Sequence, residues 1–354
     1  MLFRSTASAL LRLRPYEDVR VVLTFATGPH SEVQIIRTAA GERFVAKHYV
    51  GDDARRRFVA ETSVLRMLSE HSRAPVPRLE AVSPDELVIV MREAEGISVE
   101  NAIRTQERDA GRLVMARYAS AIGRLHSLSR GVVNRITSER QQDGFAEEVF
   151  LPPFARDPDD AAHRVAELVG QSSDALVVEL RDVIAESFWS ASANTLIQWD
   201  TWPGNAIAAS DATTLIDFEH GLRGNALLDV ASWHLAFPAA PLRIPFAAQL
   251  PADVMNEMDA AYESAVGRTI DAERLAVAIA GRMLFEVTAP SAPRLFNDLV
   301  GTPIAALYLL RVRHAASVLR TADLLPELAT VMEHLASLLS HPNTAELEPY
   351  YAFR

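Results

Sequence analysis

Cysteine is absent from this chain of 354 residues, which excludes disulfides and thiolate-ligated metal sites and leaves the redox compartment open. Long apolar runs are absent too. No stretch reaches the roughly 18 residues that a membrane-spanning helix requires, so a cytoplasmic protein with no membrane partner is expected. Basic charge is scarce: 35 Lys plus Arg against 46 Asp plus Glu leave a net charge of -11. Neutralising nucleic-acid phosphates needs a basic face, so no nucleic-acid partner is expected. The H-E-x-x-H and G-x-S-x-G patterns are missing, and with them the usual zinc-peptidase and serine-hydrolase signatures. Scarcest of the charged residues is lysine. Lys47 stands alone among the 35 basic residues, and all the others are arginine. A lysine offers a compact point charge where arginine offers a planar fork, so a narrow slot facing phosphate would explain the exception; chance explains it equally well in isolation.

What is present builds a large core: 49% of residues are hydrophobic and 23% charged. The length suits two domains or one two-lobed unit. Residues 1–19 read as a short leading helix ending near Pro15. From 20 to 50, "VRVVLTF", "EVQIIRT" and "RFVAKHYV" alternate as strands around the turns "ATGPHS" and "AAGE". "DDARRRFVAETSVLRMLSEHS" follows with helical spacing, burying Phe58, Thr62, Leu65 and Leu68 and leaving arginines 55–57 as a solvated face. Two more strands flank Ser83-Pro84-Asp85. Residues 1–95 are therefore expected to form a small lobe, a five-stranded antiparallel sheet with one helix. Residues 96–354 are expected to form a larger, mainly helical lobe, with residues 239–354 as substrate-side helices. The cleft between such lobes is where a ligand is expected.

The chemistry-bearing pattern lies in the second lobe. "QWDTWPGN" places Asp200 five positions before Asn205, and "LIDFEH" places Asp217 twelve further on. Phoshoryl transfer needs an acid at the acceptor hydroxyl, an amide ligand to magnesium in the same loop and a second carboxylate on the metal. A catalytic loop 198–205 and a metal-binding turn 217–219 meet that requirement, with Asn205 and Asp217 as hard oxygen donors. Lys47 at the end of the third strand can then reach nucleotide phosphates, held by Glu61 on the following helix. The turn between the first strands, with Gly28 and Ser31, would cover the phosphates. Glu219 reads equally as a second metal ligand or a solvated acid, and His126, His220 and His234 read as packed or surface residues.

In this order, "FVAKHY", the helix bearing Glu61, "ELVIVMREAEG", "IGRLHSL", "QWDTWPGN", "LIDFEH" and "LLDVA" resemble the aminoglycoside phosphotransferase and choline kinase group of small-molecule kinases over roughly residues 20–237. The resemblance implies an α+β, protein-kinase-like fold and transfer of the γ-phosphoryl of ATP or GTP, with Mg2+, to a hydroxyl of a small molecule. It implies Asp200 as catalytic acid or base, Asn205 and Asp217 as metal ligands, and Lys47 with Glu61 as the phosphate-anchoring pair. The backbone at Arg92, Glu93 and Ala94 would meet the adenine, and Asp229 would brace the loop. An antibiotic of aminoglycoside, macrolide or nucleoside type is the expected acceptor class. A small metabolic alcohol such as choline or homoserine stays open as a rival, as does a nucleotide-binding regulator without turnover. A homodimer is one assembly left open. The family pattern His-Gly-Asp is here Gln198-Trp199-Asp200, so a bulky indole must find room where glycine is usual.

Overall fold

Five strands pair antiparallel in the order β1-β2-β3-β5-β4: β1 Val19–Phe25, β2 Ser31–Thr38, β3 Arg43–Tyr49, β4 Leu79–Ser83 and β5 Val88–Arg92. A computed structural model of the chain describes residues 19–25, 30–170, 174–236, 250–289, 292, 302–340, 347 and 351–353. The expected leading helix, Gly28 and residues 237–249 of the Pro-rich connector lie outside the described residues. Period-two alternation puts Val45, Lys47 and Tyr49 on one face of β3. The helix Ala54–Leu68 crosses that face, and Tyr49 meets Phe58 edge-on with ring centroids 5.9 Å apart. The opposite face carries its own apolar cluster of Ile36, Phe44, Ala46, Val88 and Val90. Lys47 lies on an inner strand, paired with Val33 of β2 and Ile89 of β5, so its backbone is fixed on both sides.

The hinge between the lobes turns at Gly96, whose φ is +123°; a Cβ there would stand 2.1 Å from the Ala208 carbonyl oxygen. Glycine alone tolerates both the angle and the approach. Beyond it, β6 Ile97–Ser98 pairs with β8 Ala206–Ala208, which pairs with β9 Thr213–Leu215; β7 Thr195–Ile197 pairs with β10 Leu222–Gly224. These short strands fix the two ends of the loop 198–205 and of the turn at 217. Around them stand long helices, among them Arg108–Ser129, Ala252–Val266 and Ala272–Val287. The last starts at an N-cap, Asp271, whose carboxylate accepts the Arg274 N–H at 3.0 Å.

The α+β class, with a small antiparallel sheet and one helix ahead of a larger helical part, agrees with the sequence-based expectation. One local expectation fails. Arg55 is exposed, but Arg57 is buried and ion-paired to Glu219, 2.5 Å away. One residue in a run of three arginines faces inward because successive helical positions turn by about 100°.

Candidate active site

Strand β3 brings Lys47 into a nest of carboxylates. Its ammonium lies 2.8 Å from Glu61, 2.5 Å from Asp217 and 2.9 Å from Glu219. The Tyr49 hydroxyl donates to the same Glu61 carboxylate, and the Lys47 ammonium lies over the Tyr49 ring at 4.9 Å. Burial alone would discharge a lysine; here the charges of Asp217, Glu61 and Glu219 outweigh it and hold the ammonium protonated well above the ordinary lysine range. Burial pushes Glu219 upward, but Lys47, His220 and Arg57 overcome it and bring its carboxyl down to about 2. Glu219 is therefore not a solvated acid: it bridges Lys47 and Arg57.

The loop carrying Asp200 is held from behind. Asp229 is fully buried at the start of the helix Leu227–His234 and accepts the backbone N–H of Gln198 at 2.8 Å and of Trp199 at 3.0 Å. His126, also fully buried, bridges Asp229 and the Tyr262 hydroxyl at 3.1 and 3.0 Å. Gln198 turns its amide onto the Ile216 carbonyl at 2.7 Å and so ties the Asp200 loop to the Asp217 turn. Trp199 adopts φ +66°, the left-handed region that glycine would favour. Its ring is buried against Phe188 and Phe285, Arg282 lies 4.5 Å over its face, and the Arg282 guanidinium donates to its carbonyl at 2.7 Å. A left-handed non-glycine residue costs about 1–2 kcal/mol, while removing a buried tryptophan side chain costs about 3–5 kcal/mol. Packing therefore outweighs the backbone cost, and the indole is held in the core beside Asp200.

Asp200 is half-buried and accepts from the Asn205 amide nitrogen at 2.9 Å. Burial and the nearby charge of Asp217 both raise its carboxyl above the ordinary aspartate range. Asp217 itself sits at φ +66°, a second strained backbone position at this site. The donor set suits a hard divalent cation. Asn205 spends its nitrogen on Asp200 and keeps its amide oxygen, and the Asp217 carboxylate, about one-third exposed, touches Lys47 through one oxygen and keeps the other.

Two cavities meet here. One, of about 490 Å³, lies between the lobes and is lined by Ser31, Lys47, Glu61, Arg92, Glu93, Ala94, Asn205 and Asp217, with Val33, Ile35, Val45, Met91, Ile207 and Ile216 as apolar walls. The other, of about 480 Å³, is lined by Asp200, Trp199, His220, Arg282, Phe285 and the segment 149–153. The Asn205–Asp200 hydrogen bond links the two. Of the site residues named from the sequence, Lys47, Glu61, Ser31, Arg92, Glu93, Ala94, Asn205 and Asp217 line the first cavity and Asp200 the second; Glu219 and Asp229 line neither, and Gly28 lies outside the described residues. At the hinge, the Arg92 N–H donates to Arg78 O at 2.9 Å and the Glu93 N–H to Arg43 O at 3.2 Å. Among the three hinge residues this leaves the Ala94 amide for a ligand. Sequence reasoning missed Tyr49, Arg57 and Arg282. The first two sat beside residues already singled out, with Tyr49 two positions from Lys47 on the same strand face. Arg282 had no signal, being one arginine among many on an unassigned helix.

A family described as the phosphotransferase enzyme family matches residues 23–268. No curated protein sequence gives a match. Among solved structures, the chain is similar to a macrolide 2'-phosphotransferase from Brachybacterium faecium at 15% identity, covering 96% of this chain and 99% of that one, with a TM-score of 0.50. It is similar to APH(2")-IIa in a ternary complex with streptomycin and ATP at 13% identity, covering 91% and 98%, with a TM-score of 0.51. It is also similar to APH(2")-IIia in complex with GDP and kanamycin at 12% identity, covering 94% and 99%, with a TM-score of 0.50.

Proposed function

Because this chain belongs to the phosphotransferase enzyme family and is a small-molecule kinase, we propose that it moves the γ-phosphoryl of ATP or GTP to a hydroxyl of a molecule bound beside Asp200. The observation that carries this reading is the Asn205–Asp200 hydrogen bond of 2.9 Å, which joins the cavity holding Lys47, Glu61 and Asp217 to the cavity holding Asp200. The apolar walls of the first suit a purine ring, and Lys47 at its inner end suits the α- and β-phosphates. Asn205 and Asp217 would hold magnesium, which supplies charge neutralisation at the β- and γ-phosphates. The acceptor oxygen attacks the γ-phosphorus, the bond to the bridging oxygen of the leaving diphosphate breaks, and the hydroxyl proton passes to Asp200. Its raised carboxyl makes it a better proton acceptor than an ordinary aspartate.

Structures similar to this one carry the names of antibiotic phosphotransferases, which makes hydroxylated antibiotics the first acceptors to try. Protein, Mg·ATP or Mg·GTP and a panel of such antibiotics and metabolic alcohols are incubated together, and phosphorylated product is followed by mass spectrometry. Turnover that Asp200→Ala reduces by about a thousandfold or more supports the reading; turnover that survives the substitution overturns it.

A further inference from the structure

The cavity beside Asp200 has a charge balance unlike that of a site for a polycation. Two of its three acids are already engaged: Asp53 by Arg56 at 2.9 Å and Glu286 by Arg311 at 2.5 Å. The third, Asp200, is needed by the reacting hydroxyl. Three guanidinium groups, Arg56, Arg156 and Arg282, share the same lining. Arg56 is held by Asp53, and Arg282 is buried against Trp199. Arg156 is exposed and has no ion-pair or hydrogen-bond partner for its side chain among the described residues. An ammonium entering here would lose water and find every carboxylate but Asp200 already held by a guanidinium, a costly exchange. The remaining wall is apolar: Phe150, Leu151, Pro152 and Pro153, with Phe285 facing solvent at 38% exposure. The floor keeps unspent polar capacity, because Arg282 Nε and Glu286 Oε2 are buried without hydrogen-bond partners among the described residues.

Resting on the kinase reading above, we propose that the acceptor is a largely apolar, ring-bearing alcohol that carries an acidic group, and that Arg156 is the specificity-determining residue for that group. The ring lies against Phe150, Phe285 and the proline pair, and its hydroxyl is at Asp200.

The test uses the full chain, Mg·ATP and four probes: 4-(hydroxymethyl)benzoate, its carboxamide, 4-(aminomethyl)benzyl alcohol and kanamycin. Product formation gives kcat/KM, and calorimetry gives affinity even where turnover is slow. The acid is expected to exceed the amide by roughly tenfold or more, the scale of a charge-assisted hydrogen bond, and the amine and kanamycin are expected to fall below the amide. Arg156→Gln is expected to collapse the acid-to-amide ratio toward one, and Arg156→Lys to restore part of it. A preference for the amine or kanamycin, equal binding of acid and amide, or a ratio that persists in Arg156→Gln overturns the proposal. Loss of Mg·ATP binding in the unaltered protein would instead overturn the kinase reading, and the two failures are told apart by titrating nucleotide alone.

Discussion

At the scale of single residues, Lys47 shows how a lone exception in composition meets a specific setting. Three carboxylates converge on its ammonium within 2.9 Å. Arginine carries the same charge but spreads it over a planar fork that needs more room than this buried slot offers. Lys47→Arg is expected to lower kcat/KM for phosphoryl transfer about a hundredfold while the protein stays folded, because the carboxylates keep a cation. Steady-state kinetics beside a thermal melt checks this, and unchanged kinetics would return the single lysine to chance. Removing the charge altogether, by contrast, strands buried carboxylates and costs about 3–5 kcal/mol. Trp199 teaches the complementary lesson. The sequence marks it as a departure from the family pattern, and only its neighbours in space show why the departure is tolerated.

At the scale of elements, the site is assembled from pieces that cannot be functional separately. Strand β3 supplies Lys47, the helix Ala54–Leu68 supplies Glu61 and Arg57, and the loops after β7 and β9 supply Asp200, Asn205 and Asp217. The helix Ala272–Val287 lies beyond the family match at residues 23–268, yet it reaches the catalytic loop through Arg282. Under the proposed mechanism Arg282 would touch no reacting atom and would position Asp200 through its hydrogen bond to the carbonyl of the preceding residue. Arg282→Met is expected to lower kcat by about tenfold to a hundredfold, since a loop displaced by about 1 Å costs on that order, with the nucleotide KM little changed. Arg282→Lys should recover part of kcat, because it restores a donor without the stacking plane. A purely structural role predicts the reverse pattern, equal loss in both variants alongside a fallen melting temperature.

At the scale of the whole molecule, acidity and the buried ion network govern the response to pH. Glu219 titrates at about 2 in the folded chain against an ordinary 4.5. Its folded form holds a proton less tightly than its unfolded form, so its contribution to stability is complete above about 4.5 and is lost as pH falls toward 2. Glu61, Asp200 and Glu286 are shifted upward by burial and work in the opposite sense. The difference between wild type and Glu219→Gln isolates the one term. In metal-free, nucleotide-free protein, urea midpoints are expected to fall more steeply between pH 5 and 3 for wild type than for Glu219→Gln; parallel declines would show that the Lys47–Glu219 contact carries no stability.

The sequence by itself determined the order and type of the elements, because strand alternation, helical spacing and the turn residues are local signals. It also singled out Lys47, Glu61, Asp200, Asn205 and Asp217 as candidates, by local motif and by resemblance, without recording that they face one another. The tertiary structure alone decided what lies between distant segments: Arg57 folded inward onto Glu219, Arg282 reaching Trp199 across 83 positions, and a second cavity in which two of three acids are already ion-paired. Charge balance in a cavity depends on which side chains meet across the fold. That is a property of contacts rather than of order along the chain, and no periodicity or motif records it.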